Sequence, residues 1–128
     1  MTGPIRVLHV EDEPPLQELL TNYFNTASIE VSVETAANGK EALQIHEEDA
    51  FDCIISDHQM SEMTGIELFE RLQERGTTTP FIFYTASIYV QEEIEISATK
   101  PPAEIITKGA NKLSDVVDTV EDITLATA

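Results

Sequence analysis

The chain has 128 residues, 41% of them hydrophobic, and its 24 Asp and Glu against 7 Lys and Arg give a formal charge of −17. This length suits a single domain with a core of ordinary size. No apolar run approaches the roughly 20 residues of a membrane span, and Met1 to Pro4 does not have the pattern of a signal peptide. The acidity opposes contact of this domain with DNA phosphates.

The cysteine and acid content indicate the compartment. Cys53 is the single cysteine, so an internal disulfide is excluded, and its place within an apolar run predicts a small buried residue in a cytoplasmic protein. The acids are dispersed along the chain rather than gathered in a tail. This pattern favours a salt-rich cytoplasm, where counterions screen the self-repulsion of the fold. Equal thermal stability in low and multimolar KCl would refute that interpretation.

The first half of the chain alternates strand and helix patterns. Ile5–Val10 is a β-rich run, and the apolar residues from Leu16 to Phe24 then recur at helical spacing after two prolines that suit a helix start. Glu30–Thr35 alternates as a strand. Asn38-Gly39 predicts a turn, and Lys40–Glu48 predicts a short helix.

The second half continues the alternation. The predicted strands are the apolar segment Phe51–Ser56, Pro80–Thr85 and Ala103–Thr107. The predicted helices that follow them are Ile66 to Leu72, stopped by Gly76, then Val90–Ser97, a weak helix, and Leu113 to Val120. Five strands alternating with five helices predict parallel strands with helices on both faces of the sheet.

The predicted fold class is therefore α/β, a flavodoxin-like (βα)5 doubly wound parallel sheet with strand order 2-1-3-4-5. Residues 1–128 form one domain without a linker or repeat, and this domain is compatible with being the N-terminal piece of a longer protein. In such sheets, ligands bind at the carboxyl ends of the strands, where the strand order changes direction.

Polar side chains follow four of the predicted strands. Glu11 and Asp12 follow the first, Asp57 the third, Thr85 ends the fourth and Lys108 follows the fifth. Like charges about 4 Å apart cost roughly 4 kcal/mol at an effective dielectric near 20, so grouped carboxylates need a proton or a cation. Mg²⁺ fits such oxygen ligands, and a lysine with a hydroxyl suits a phosphoryl group. Each residue alone has an ordinary explanation as a loop, cap, strand or surface residue, and their joint placement carries the prediction.

Four segments carry a resemblance to a known family, and they are "VLHVEDEP", "DCIISDHQMSEMTGIEL", "PFIFYTA" and "EIITKG". In this order they resemble the receiver domain of two-component response regulators, over essentially all of the chain. The "TKG" ending and the acidity also resemble receivers from haloarchaea.

The resemblance implies a phosphorelay role. Asp57 would accept a phosphoryl group from a phosphohistidine on a sensor histidine kinase, and the phosphate would later be hydrolysed slowly. Thr85 would bind a phosphoryl oxygen, and Lys108 would pair with Asp57 before phosphorylation and with the phosphate afterwards. Such a domain is a signalling module acting on a downstream protein target, and is not an enzyme in the usual sense.

The resemblance also implies a metal site and variable positions. Mg²⁺ would be held by three carboxylates and one backbone carbonyl, those of Glu11, Asp12, Asp57 and Gln59. Gln59 and Ser87 are positions that modulate the lifetime of the phosphate in this family, or are solvated loop residues. Among the three histidines, His58 is notable because it adjoins Asp57.

Several residues depart from the family pattern. Glu11 is one methylene longer than the usual aspartate, so its metal contact is open to an intervening water, and Ser61 replaces a frequent proline. Gly109 stands where a proline is usual, which predicts a trans peptide bond there. Ile105 replaces the aromatic residue that moves with the threonine, which leaves Tyr84 or Tyr89 as candidate reporters. Lys100-Pro101 precedes the fifth strand instead of ending it, so Lys108 is the preferred site lysine.

Two other functions remain open. A receiver-like interaction domain without phosphorylation is one alternative. A Mg²⁺-dependent phosphohydrolase of the haloacid-dehalogenase type is the other, although Gln59 stands where that family has a second aspartate. Neither nucleic acid nor membrane is an expected partner, and a homodimer through the face of the fifth strand is a hypothesis.

Overall fold

The computed structural model describes residues 4–27, 29–86, 89–97, 101–108 and 113–126. Five strands form one parallel sheet: β1 Ile5–Val10, β2 Val31–Ala36, β3 Cys53–Ser56, β4 Phe81–Thr85 and β5 Glu104–Thr107. The helices alternate with them: α1 Pro14–Asn25, α2 Gly39–Glu48, α3 Gly65–Glu74, α4 Val90–Ser97 and α5 Leu113–Ala126. The strand order β2-β1-β3-β4-β5 confirms the predicted fold.

The helices cover the two faces of the sheet with separate hydrophobic clusters. Alternate residues of a strand point to opposite faces, so in β1 Leu8 and Val10 join the cluster under α2, α3 and α4, while Val7 joins the cluster under α1 and α5. Cys53 belongs to this second cluster and is fully buried. Burial raises the pKa of its thiol to about 12, so its predicted role as a structural core residue is confirmed.

Several predicted boundaries shift by one or two residues. β2 begins at Val31 rather than Glu30, and β3 begins at Cys53 rather than Phe51. Phe51 is buried but lies before the ladder, which begins opposite Val7. β4 and β5 each begin one residue later than predicted, at Phe81 and Glu104.

Capping explains the ends of two helices. Asn38 was predicted in a turn, but its side chain accepts a hydrogen bond from the Glu41 N–H, which caps α2 and makes Gly39 its first residue. Gly76 ends α3 as predicted. Its φ of +76° is a conformation that glycine adopts without steric cost.

Helix α1 buries a narrower stripe than its sequence predicts. Leu20 and Phe24 lie in the core, whereas Leu19 and Tyr23 are 49% and 38% exposed. The helix rests on the sheet edge beside α5, so only one side of the apolar stripe is covered. Within the described ranges, no helix is both long and apolar enough to cross a bilayer.

Candidate functional site

The ammonium group of Lys108 lies between two carboxylates at the carboxyl edge of the sheet. Its Nζ is 3.1 Å from Glu11 Oε1 and 3.3 Å from Asp57 Oδ2. Glu11 and Asp57 precede Lys108 in the chain by 97 and 51 positions, so three separate segments meet here. The predicted convergence of Glu11, Asp57 and Lys108 on one rim is therefore present in the structure.

Backbone hydrogen bonds from neighbouring strands hold these residues at the rim. The Glu11 N–H donates to the Ala36 carbonyl, and the Asp57 N–H donates to the Val10 carbonyl. The Lys108 N–H donates to the Thr85 carbonyl at 2.8 Å. Each residue thus continues the ladder one step beyond its strand, which fixes the positions of the Cα atoms before any side chain is considered.

Glu11 is the most buried acid of the site, with only 1% of its surface exposed. Burial raises the pKa of Glu11 above its ordinary value, and Lys108 only partly offsets this effect. Its second oxygen, Oε2, lies 3.4 Å from the Glu13 N–H. Burial disfavours the charged form of Lys108, but Asp57 and Glu11 outweigh it and raise the pKa of the lysine.

Asp57 accepts hydrogen bonds from both of its neighbours in the chain and packs closely against the start of α3. Its Oδ1 accepts a hydrogen bond of 2.7 Å from the His58 N–H, and its backbone carbonyl accepts one of 2.7 Å from the Ser56 hydroxyl. The first residue of α3, Gly65, approaches so closely that a Cβ there would collide with the Asp57 carbonyl oxygen. A Cβ at Gly65 would also lie 2.9 Å from His58 Cα. This glycine therefore allows α3 to support the residue that carries the carboxylate.

The other predicted site residues differ in their exposure to solvent. Thr85 is 1% exposed at the end of β4, next to Lys108 through the backbone hydrogen bond described above. Asp12 and Gln59 have exposed side chains. In the described part of the chain, no group of three or more His, Cys, Asp or Glu is placed to hold a metal ion. Glu11 and Asp57 are the two carboxylates that contact the ammonium of Lys108.

The loop between Asp57 and α3 contains features that sequence reasoning did not find. His58 is buried, and its Nε2 lies 3.2 Å from Glu93 Oε2 on α4. Glu62 has a φ of +68°, a conformation that costs a residue with a side chain roughly 1–2 kcal/mol. The available signal was its place in the seven-residue connection between Asp57 and α3, since such a short connection to a helix needs a tight turn.

Two more contacts reach Lys108 or its surroundings. The Lys108 Nζ lies 5.3 Å from the centroid of the Tyr84 ring, within the range of a cation–π interaction. His9 is buried beneath the site, and burial, with a contribution from Lys108, lowers its pKa to about 4. His9 and Tyr84 each precede the end of their strand by one position, so their proximity to Lys108 follows from the topology.

The model of the response regulator receiver domain family matches residues 7–120. The chain belongs to the response regulator receiver domain family. The match runs from β1 into α5 and includes Lys108 together with Glu11, Asp57 and Tyr84, which lie around its ammonium.

Curated relatives of this receiver domain are transcriptional regulatory proteins. TrcR of Mycobacterium tuberculosis is 32% identical over 92 residues, which are 72% of this chain and 35% of the relative. GlrR of Escherichia coli is 37% identical over 83 residues, covering 65% of this chain and 18% of the relative. The receiver domain thus spans about a third or less of the length of these relatives.

Solved structures of receiver domains have the same fold. The receiver domain of the Francisella response regulator 1452 gives a TM-score of 0.84 at 23% identity, covering 98% of this chain and all of that one. Response regulator TrrA of Thermotoga maritima, in complex with Mg²⁺ and BeF, gives 0.78 at 26% identity, with 93% and 98% of the two chains covered. Chemotaxis protein CheY4 of Vibrio cholerae gives a TM-score of 0.78 at 28% identity, covering 94% of this chain and 99% of that one.

The departures from the family pattern have different outcomes. Ile105 is half-buried and packs against the hydrophobic cluster under α2, α3 and α4, so it acts as an apolar packing residue. Ser61 is exposed in the loop after Asp57. Ser87, Gly109 and Lys100 lie outside the described residues.

Proposed function

We propose that Asp57 is the phosphoacceptor of this receiver domain and that a sensor histidine kinase is the donor. The observation that carries this proposal is the convergence of Lys108 on Glu11 and Asp57 at the carboxyl edge of the sheet. A carboxylate of Asp57 attacks the phosphorus of a phosphohistidine. A P–O bond forms, the P–N bond breaks, and the imidazole leaves with the bonding electron pair and takes up a proton.

The residues around Asp57 suit this transfer. The His58 N–H fixes one carboxylate oxygen, which orients the nucleophile before the donor arrives. Lys108 supplies positive charge where the phosphoryl oxygens gather, and Thr85 supplies a hydroxyl at the end of the adjacent strand. Water then hydrolyses the acyl phosphate, which regenerates the Asp57 carboxylate and releases inorganic phosphate.

A magnesium ion fits the donor set, because Mg²⁺ in proteins is commonly held by one or two carboxylates and keeps several waters. Glu11 and Asp57 are the two carboxylates that the fold brings together. We propose that they hold the ion, with Asp12 and the Gln59 carbonyl as further ligands. The bound ion would neutralise charge on the phosphoryl oxygens. The ammonium of Lys108 lies between the two carboxylates, so Glu11 and Asp57 would contact both Lys108 and the ion.

The alternatives are less well supported. A haloacid-dehalogenase-type hydrolase needs a general acid two residues after the nucleophile, and that position is the exposed Gln59. An interaction domain without phosphorylation gives no reason for a buried Glu11 paired with Lys108. We further propose a cytoplasmic, salt-adapted protein that acts on a downstream protein target and does not turn over a free substrate.

Mass spectrometry after incubation with a small acyl-phosphate donor and Mg²⁺ tests the proposal. The wild type should gain one phosphoryl group, and Asp57→Asn should gain none. Asp122→Asn, an exposed aspartate on α5, is the matched control and should load like the wild type. Lys108→Ala should load but fail to transmit the signal. Loading of Asp57→Asn, or turnover of a generic phosphate ester, would contradict the assignment.

A further inference from the structure

His58 connects the Asp57 carboxylate to helix α4. Its backbone N–H donates to Asp57 Oδ1 at 2.7 Å, and its imidazole Nε2 lies 3.2 Å from Glu93 Oε2. One residue therefore contacts the carboxylate through its main chain and a separate helix through its side chain.

The imidazole is almost entirely buried. The His58 side chain is only 9% exposed, and its Nδ1 is buried without a hydrogen-bond partner in the described part of the chain. The contact with Glu93 is therefore the hydrogen bond that the structure shows for this ring, with the Nε2–H as the donor. The His58 carbonyl accepts a 2.7 Å hydrogen bond from the Gly65 N–H, which connects this residue to the start of α3.

The α4 end of the contact is anchored in the core. Val90 and Ile94, on either side of Glu93 along the helix, are 1% and 4% exposed in the cluster under α4. The Glu93 side chain is 51% exposed, so a protein that binds the outer surface of α4 can reach it. Glu92 is also exposed and lies one position away, on a different side of the helix.

We propose that His58 and Glu93 are positioning residues that couple the geometry of the Asp57 carboxylate to helix α4. Loss of the Glu93 carboxylate releases the imidazole, loosens the His58 N–H that holds Asp57 Oδ1, and frees α4. Because coupling between two sites is reciprocal, a partner that draws Glu93 away from His58 alters the reactivity of Asp57. The effect on loading rests on the proposed function, whereas the effect on α4 does not.

Hydrogen exchange of the unmodified protein tests the contact itself. Glu93→Ala should accelerate exchange of the α4 amides by roughly two- to fivefold, the range expected for the loss of one partly exposed contact between polar side chains. Glu93→Gln retains an acceptor oxygen and should restore exchange close to that of the wild type. Glu92→Ala removes a neighbouring acid without this contact and is the matched control. Equal acceleration in Glu93→Ala and Glu92→Ala would overturn the proposal.

A double variant separates this contact from any other role of Glu93. In a His58→Ala background, Glu93→Ala should add no further acceleration, since the contact is already lost. An undiminished additional effect in that background would refute the coupling through His58. Circular dichroism of each variant establishes that it is folded before exchange is compared.

Loading kinetics test the effect on Asp57. With a small acyl-phosphate donor and Mg²⁺, Glu93→Ala should load phosphate more slowly than the wild type by a similar factor, and Glu93→Gln should recover the rate. Unchanged loading in Glu93→Ala with accelerated α4 exchange would overturn the coupling to the carboxylate. If the wild type does not load at all, the proposed function fails, and the exchange measurements alone decide whether the contact anchors α4.

Discussion

Replacement of Lys108 by methionine should destabilise the fold in the absence of divalent ions. The two carboxylate oxygens lie 3.1 and 3.3 Å from the ammonium, so they are no more than about 6.4 Å apart. At an effective dielectric near 20, two charges at that separation repel by roughly 2.5 kcal/mol, and in the wild type the ammonium of Lys108 offsets this repulsion. Methionine preserves most of the volume of the side chain. The expected loss in the free energy of unfolding is therefore about 2–3 kcal/mol, limited by protonation of Glu11.

Urea denaturation followed by circular dichroism, in chelator and in millimolar Mg²⁺, measures this loss. Lys40→Met, at an exposed position on α2, is the control and should differ little from the wild type in either buffer. Mg²⁺ should restore most of the stability of Lys108→Met, because a divalent ion replaces the missing positive charge between Glu11 and Asp57. If Lys108→Met is as stable as Lys40→Met in chelator, the two carboxylates do not repel as the geometry requires.

Three further substitutions test the surroundings of the site by urea denaturation. Gly65→Ala should cost more than 2 kcal/mol and slow loading of Asp57, because the added Cβ collides with the Asp57 carbonyl oxygen. Glu62→Gly should stabilise the protein by about 1 kcal/mol, since glycine adopts the φ of +68° without steric cost; a loss of stability would contradict this. His9 has its pKa lowered from 6.5 to about 4, mainly by burial, so its contribution to stability is lost as the pH falls from about 6.5 to 4. His9→Val should therefore lose about 2 kcal/mol less than the wild type between pH 7 and pH 5, and equal losses would refute the burial argument.

The strand ends were predictable from the sequence because their positions depend on local patterns. An apolar run that stops at Ser56 places the next residue, Asp57, at the carboxyl edge, and the same reasoning places Glu11 and Lys108. Parallel topology then brings the three residues together without any knowledge of side-chain conformation. The predicted sheet order rests on the same regularity, whereas the family prediction rests on the resemblance of the four segments that carry these residues.

The contact between His58 and Glu93 could not be predicted, because no periodicity relates a loop residue to a helix residue 35 positions later. It depends on the rotamers of both side chains and on how α4 sits on the sheet. The exposure of Asp12 has a similar origin, since the chain turns into α1 directly after Glu11. Sequence patterns give the edge at which a residue lies, whereas the direction of its side chain is set by packing.

The sheet has two outer strands, β2 and β5, each paired on one side only. Unpaired strand edges can recruit a second molecule and begin aggregation. Here β5 has only four residues, and the two edges carry the carboxylates of Glu34 and Glu104. Two such edges repel each other in dilute buffer, and this protection fades as added salt shortens the Debye length toward roughly 3 Å at 1 M. At β5, the brevity of the strand then becomes the main barrier to fibre formation.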